Sequence, residues 1–176
     1  RQNDAVSEIT GTLIKGTKDF GGEYSSIVPL LPTGKGTSAS HLTWSDTKFV
    51  EGEATIIELS GVYKRYHCPM ARTVFLGKPD QKKIDTMKKT IEALHAGIDV
   101  TKPGNTANDV AQAFWKVLDK YNIEKKSRTG YSIGIGYPPD WGEHTLNILK
   151  GDKTILEKNI CFHMIAVMQF GDWGVE

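Results

Sequence analysis

The sequence has no apolar run approaching the roughly 20 residues that a membrane-spanning helix needs; its 39% hydrophobic content is spread over short stretches. Charge of either sign is not in excess: 22 Lys and Arg stand against 21 Asp and Glu, a net charge of +1. Neither nucleic acid nor an anionic membrane is therefore given an electrostatic reason to bind. Only two cysteines occur, Cys68 and Cys161, which fits a reducing compartment and allows at most one bridge. There is no secretory pattern, internal repeat or low-complexity tract, and the reading is a cytoplasmic protein. With 176 residues the chain can bury one core without a second domain. Arg1 opens inside what reads as a helix and Trp173 to Glu176 close within what reads as sheet, so one partial domain over 1-176 is expected.

What is present is organised around Glu53 to Gly77, two apolar runs on either side of a crowded polar turn. Ala54 to Leu59 is rich in Ile, which predicts a strand buried on both faces, and Glu58 stands in it where a pure core would have no acid. Ser60-Gly61 reads as the turn, and Ala71 to Leu76 as the returning strand. Before this hairpin, Val6, Ile9 and Leu13 fall at helical spacing within Gln2 to Lys15. Tyr24 to Leu31 and Thr37 to Trp44, around His41, predict strands separated by the turn Pro32 to Gly36. After the hairpin, Ile84, Met87, Ile91 and Leu94 step along a helix that starts at Asp80 and carries Lys82, Lys83, Lys88 and Lys89 on its outer face. Thr106 with Asp109 predicts a capping box for a second helix bearing Ala107, Val110, Phe114, Val117 and Tyr121. Gly130 to His144 is dense in glycine and proline and predicts irregular backbone. Ile160 to Gln169 predicts a closing strand. Strands, then two helices, then strands is an α+β order.

Several short patterns invite chemistry. Gly130 to Gly134 spells G-x-S-x-G, but a nucleophile elbow needs a buried strand before its Ser and a helix after it. Here Lys125-Lys126-Ser127-Arg128 precedes and Tyr137-Pro138-Pro139 follows, so Ser132 is not read as a nucleophile. His67-Cys68 are neighbours on a strand and point to opposite faces, which argues against a working pair and for a packed Cys. The metal-competent side chains Glu58, His41, His67, Glu143, His144, His163 and Glu176 are scattered without a ligand spacing such as HExxH. His95 reads as structural. His163, in an apolar strand, divides evenly between a core residue and a site residue. Glu58 and Glu143 are the acids expected to carry chemistry, since neither lies in a charged surface run.

The His41 segment, the string Ala71-Arg72-Thr73-Val74-Phe75-Leu76-Gly77, the two helices, the Gly130-Tyr131-Ser132-Ile133-Gly134 loop and Gly151 followed by Ile160 to Ile165 together resemble the creatinase, prolidase and methionine aminopeptidase family. That resemblance covers nearly the whole chain and implies a pita-bread fold, here without an N-terminal domain and a C-terminal end, and a homodimer. In metal-dependent members two Asp, a His and two Glu bind a pair of ions. The corresponding positions hold Glu58, Pro69, Tyr131 and, for the first Glu, Ile165. Pro, Tyr and Ile offer a divalent cation no carboxylate or imidazole, so the resemblance implies no metal rather than two divalent ions. Glu58-Leu59-Ser60-Gly61-Val62-Tyr63, Tyr66-His67-Cys68-Pro69 and Tyr137-Pro138-Pro139-Asp140-Trp141-Gly142-Glu143-His144 are similar to the metal-free ectoine hydrolases. The resemblance then implies a C-N hydrolase of a small zwitterionic solute, with Glu58 first and Glu143 second as the working carboxylate and His41 as proton shuttle. Tyr66, Arg72, Tyr131, Trp141, His163 and Glu176 are expected at the substrate. An Xaa-Pro dipeptidase with two metal ions and an inactive pita-bread binding module are the alternatives.

Overall fold

The computed structural model describes residues 1–176. Helix α1, Gln2–Lys15, forms as its spacing predicts, but it is tied down by its first residue. The buried Gln2 side chain donates to the Leu31 carbonyl and accepts from the Ser45 backbone N–H at 2.7 Å. The two strands expected over 24–44 do not form. Pro29 and Pro32 remove ladder donors, and only isolated bridges remain, Leu30 with Glu58 and Thr33 with Thr55, followed by a 3-10 turn at Gly34–Ser38.

Strands β1, Ala54–Tyr63, and β2, Tyr66–Phe75, pair without a break from Ala54 opposite Phe75 to Tyr63 opposite Tyr66. Ser60-Gly61 is therefore not a turn but mid-strand, opposite Pro69 and Cys68. The turn is Lys64-Arg65, both left-handed at φ 48° and 64°, the backbone twist that a two-residue hairpin demands. Neither residue favours that region, and the Glu23 carboxylate supplies the compensation by accepting from the Lys64 N–H at 2.7 Å and the Arg65 N–H at 3.3 Å. Arg65 is held further by the carbonyls of Gly136 and Tyr24.

Helix α2, Gln81–Asp99, is capped by Asp80, and α3, Ala107–Lys120, by the Thr106–Asp109 capping box. The most buried face of α2 is Thr86, Thr90, Ala93 and Gly97, whereas Ile91 of the expected stripe stays half exposed. Small residues there let α3 approach: a Cβ on Gly97 would lie 3.6 Å from the Val110 side chain. Helix α3 is the spine of the core. Ala107, Val110, Ala111 and Trp115 pack with Leu146, Ile148 and Leu156 on one side, while Phe114 and Leu118 pack with Ala93, Ala166, Met168 and Val175 on the other.

The glycine-rich stretch is sheet rather than irregular backbone. It forms β3, Gly130–Tyr137, and β4, Asp140–Ile148, joined at the cis Pro138-Pro139 peptide. Its glycines serve close approach: a Cβ on Gly130 would meet the His163 carbonyl, and one on Gly136 would meet the Trp141 backbone. The closing strand divides in two. β5, Phe162–Met164, joins β3; after Ile165 to Val167, β6, Met168–Phe170, pairs with β7, Trp173–Val175, in a separate sheet. The larger sheet runs β1-β2-β3-β4 with β5 also on β3. No helix is long and apolar enough to cross a membrane.

Candidate active site

One cavity of about 540 Å³ opens where β1, β3, the turn into β4 and the 30–43 loop converge, a size suited to a small molecule. Glu58 comes from mid-β1, its backbone locked to Leu30 by two hydrogen bonds of 2.8 and 3.0 Å. The residue is 8% exposed and lines the cavity, and its carboxyl has no protein hydrogen-bond partner; burial pushes it up to about 7. Glu176 lines the same cavity. The Thr73 hydroxyl fixes its backbone, accepting from its N–H at 2.7 Å and donating to its carbonyl at 2.8 Å. Burial, then the charge of Glu58, drives Glu176 up to about 8, against the pull of Lys125.

Tyr131 and Trp141 form the aromatic wall. The Trp141 indole N–H donates to the Tyr131 phenol oxygen at 2.6 Å, and that oxygen lies 3.3 Å from His163 Nδ1. Burial pushes the phenol up to about 12 and holds His163 down at about 4, so the imidazole is neutral and can accept a hydrogen bond from the phenol O–H. His163 thus stands behind the wall. His41 is exposed at the rim, in left-handed backbone at φ 61° rather than on a strand.

Of the acids and substrate residues expected from sequence, His41, Glu58, Tyr131, Trp141 and Glu176 line the cavity. Glu143, Tyr66 and Arg72 do not. Between Tyr131–Asn147 and Ile133–Gly142 the β3–β4 register shifts, and the bulge carries the Glu143 carboxylate outward over Gly134. Ser132 supports that bulge, its hydroxyl accepting from the N–H groups of Thr145 and Leu146 at 3.1 and 3.2 Å, a structural duty rather than a nucleophile's. Tyr66 sits 60% exposed at the hairpin tip, and Arg72 faces solvent opposite Ile57, on the side of the hairpin away from Glu58. His67 is a satisfied core residue, donating to the Arg65 carbonyl and accepting from Ser26, while Cys68 is exposed.

Two further charged groups line the cavity without a sequence signal. Asp140 accepts from the Gly142 N–H at 2.9 Å and pairs with His144 at 2.8 Å. Arg128 lies over the Tyr131 ring, 4.2 Å from its centre. Behind the cavity, Lys125 is buried and bonded to Ser127 and the Val167 carbonyl, and burial lowers it to about 8. No three His, Cys, Asp or Glu side chains converge closely enough to hold a metal ion. Ile165 lines the cavity and Pro69 is buried opposite Ser60, so neither position offers a ligand; these residues do not fit a pair of ions.

The chain matches the metallopeptidase family M24 over residues 2–176, and it belongs to that family, with the pita-bread fold. Among its relatives, it is 48% identical over 177 residues to an ectoine hydrolase of Halomonas elongata, covering 97% of this chain and 44% of the relative. It is 24% identical to an Xaa-Pro dipeptidase of Pyrococcus furiosus over 80% of this chain and 39% of the relative. Among solved structures, a prolidase from Pyrococcus furiosus superposes with a TM-score of 0.85 at 18% identity, covering 99% of this chain and 50% of that one. The chain thus spans about half the length of these proteins.

Proposed function

We propose that this domain carries the chemistry of a metal-independent hydrolase that opens a C-N bond in a small zwitterionic solute, a cyclic amidine of the ectoine kind. The observation that carries the reading is the pair Glu58 and Glu176, two carboxyls pushed up to about 7 and about 8 inside one aromatic cavity. Near neutral pH such a pair holds one proton between two carboxyls, one ready to accept and one ready to donate. Glu58 takes a proton from water as the water oxygen bonds to the amidine carbon. Glu176 then gives its proton to the ring nitrogen as the C-N bond breaks. One water is consumed, and the ring opens to a single product that carries an amide at one nitrogen and an amine at the other. His41 at the rim exchanges protons with solvent, so that Glu58 loses the proton it gained while Glu176 takes one up, and the pair is restored. The 48% identity to an ectoine hydrolase supports the substrate class. The cavity's donor set, with Tyr131 and Ile165 where metal-dependent members are expected to place ligands, supports the absence of a metal role.

The test is turnover of ectoine and of Xaa-Pro dipeptides by the full-length protein, before and after chelation. Ectoine opening that survives chelation and falls at least 100-fold in Glu58→Gln is the expected result. Dipeptide cleavage that disappears with chelator would establish the rival reading, which the similarity to Xaa-Pro dipeptidases favours.

A further inference from the structure

Arg128 is the one permanent cation lining a cavity that also carries three acids, Glu58, Asp140 and Glu176. It makes an ion pair with none of them. The guanidinium is nonetheless held in place from two sides. Its Cζ lies over the Tyr131 ring, 4.2 Å from the centre, and Nη1 donates to Asn147 Oδ1 at 2.6 Å. Asn147 is itself placed by the ladder, opposite Tyr131. A guanidinium has five N–H donors, and this contact uses one; the others have no protein acceptor. Arg65 shows the contrast, spending its donors on the carbonyls of Gly136 and Tyr24 and on the Ser26 hydroxyl.

A guanidinium held over an aromatic ring, with open donors beside a cavity, is the arrangement that recognises a planar oxyanion by paired hydrogen bonds. Resting on the hydrolase reading above, we infer that Arg128 is the specificity residue of the site and binds a carboxylate on the substrate, so that the ring to be opened is pinned against Glu58 and Glu176. The cavity then selects cyclic amidines that bear a carboxylate over the same rings without one. Electrostatics agree: the acid pair and Asp140 would attract the amidinium end, and only Arg128 offers the opposite charge for the other end. Arg72, expected from sequence to serve this purpose, lies on the far side of the hairpin.

The experiment compares two substrates, ectoine and the same methyl-substituted cyclic amidine lacking the carboxyl group, on the full-length wild type and on Arg128→Met and Arg128→Lys. Expected is a rise in KM for ectoine of about 10- to 100-fold in Arg128→Met, the range of a lost charged hydrogen bond. Arg128→Lys should fall between the two, and KM for the carboxyl-free ring should change less than threefold in both variants. Calorimetric binding of ectoine to Glu58→Gln, with and without Arg128→Met, reads the same contact without turnover. Equal losses on both substrates, or unchanged ectoine binding in Arg128→Met, would overturn the inference. If the wild type opens neither ring, the hydrolase reading falls, and the calorimetric comparison still decides whether Arg128 holds the carboxylate.

Discussion

The indole N–H of Trp141 donates to the phenol oxygen of Tyr131 at 2.6 Å, deep in the wall that separates the cavity from the core. Tyr131 passes the interaction on to His163 Nδ1 at 3.3 Å. Removing the phenol oxygen leaves a buried N–H donor and a buried imidazole acceptor without partners. Tyr131→Phe is expected to cost about 1–3 kcal/mol in urea unfolding, the usual penalty of an orphaned buried polar group. A loss below about 0.5 kcal/mol would show that neither neighbour depends on it.

The acid pair makes a stability prediction whose sign is opposite to that of an ordinary salt-bridged carboxylate. Glu58 is raised from 4.5 to about 7 on folding by burial. Its neutral form is the one the fold accommodates, so its contribution is intact below pH 4.5 and is lost as pH rises through about 7. Glu58→Gln should therefore match the wild type in unfolding free energy near pH 4 and exceed it near pH 8, by about 1–3 kcal/mol. Equal stability at both pH values would mean that the carboxyl is not desolvated.

Turnover should follow a narrow bell, rising through about 7 as Glu58 ionises and falling through about 8 as Glu176 gives up its proton. Glu176→Gln is expected to lower turnover at least tenfold and to leave only the rising limb. A falling limb that persists in that variant would assign it elsewhere.

Glu143 provides the control. Its carboxylate lies over Gly134 outside the cavity, so Glu143→Gln is expected to keep kcat/KM within about threefold of wild type while Glu58→Gln does not. A loss as large as that of Glu58→Gln would return Glu143 to the site.

The hairpin turn predicts a gain. Lys64 holds φ 48°, a region that costs a side chain with Cβ and costs glycine nothing. Lys64→Gly should stabilise by about 0.5 kcal/mol, whereas Glu23→Ala, which removes the carboxylate under both turn N–H groups, should destabilise by about 1–2 kcal/mol. Thermal unfolding of the two variants reads both.

The helices and caps were legible because their signals are local: Asp80, Thr106 and Asp109 cap where their spacing predicts. Glu58 was legible because an acid inside an Ile-rich strand is out of place. Ser60-Gly61 misleads as a turn because the true turn is stabilised by Glu23, 41 residues from Lys64, an interaction no local pattern encodes. The glycines of 130–136 mislead for a related reason, since they answer to His163 and Trp141 pressing against them rather than to bends in their own backbone. Glu143 could not be sorted from Asp140 without the β-bulge between them and Ile148. Arg128 sits in a polar run that reads as surface, and its approach to the cavity is set by tertiary packing on Tyr131.

Glu58 faces Ala71 across the β1–β2 ladder, and Thr73, two residues along the same strand, grips the backbone of Glu176. The hairpin is therefore a ruler for the two carboxyls. A slip of one residue would turn Glu58 away from the cavity while leaving the strand content unchanged. On the proposed hydrolase reading, turnover then reports strand registration, and a lesion at the distant Lys64-Arg65 turn would abolish it with every residue of the cavity intact.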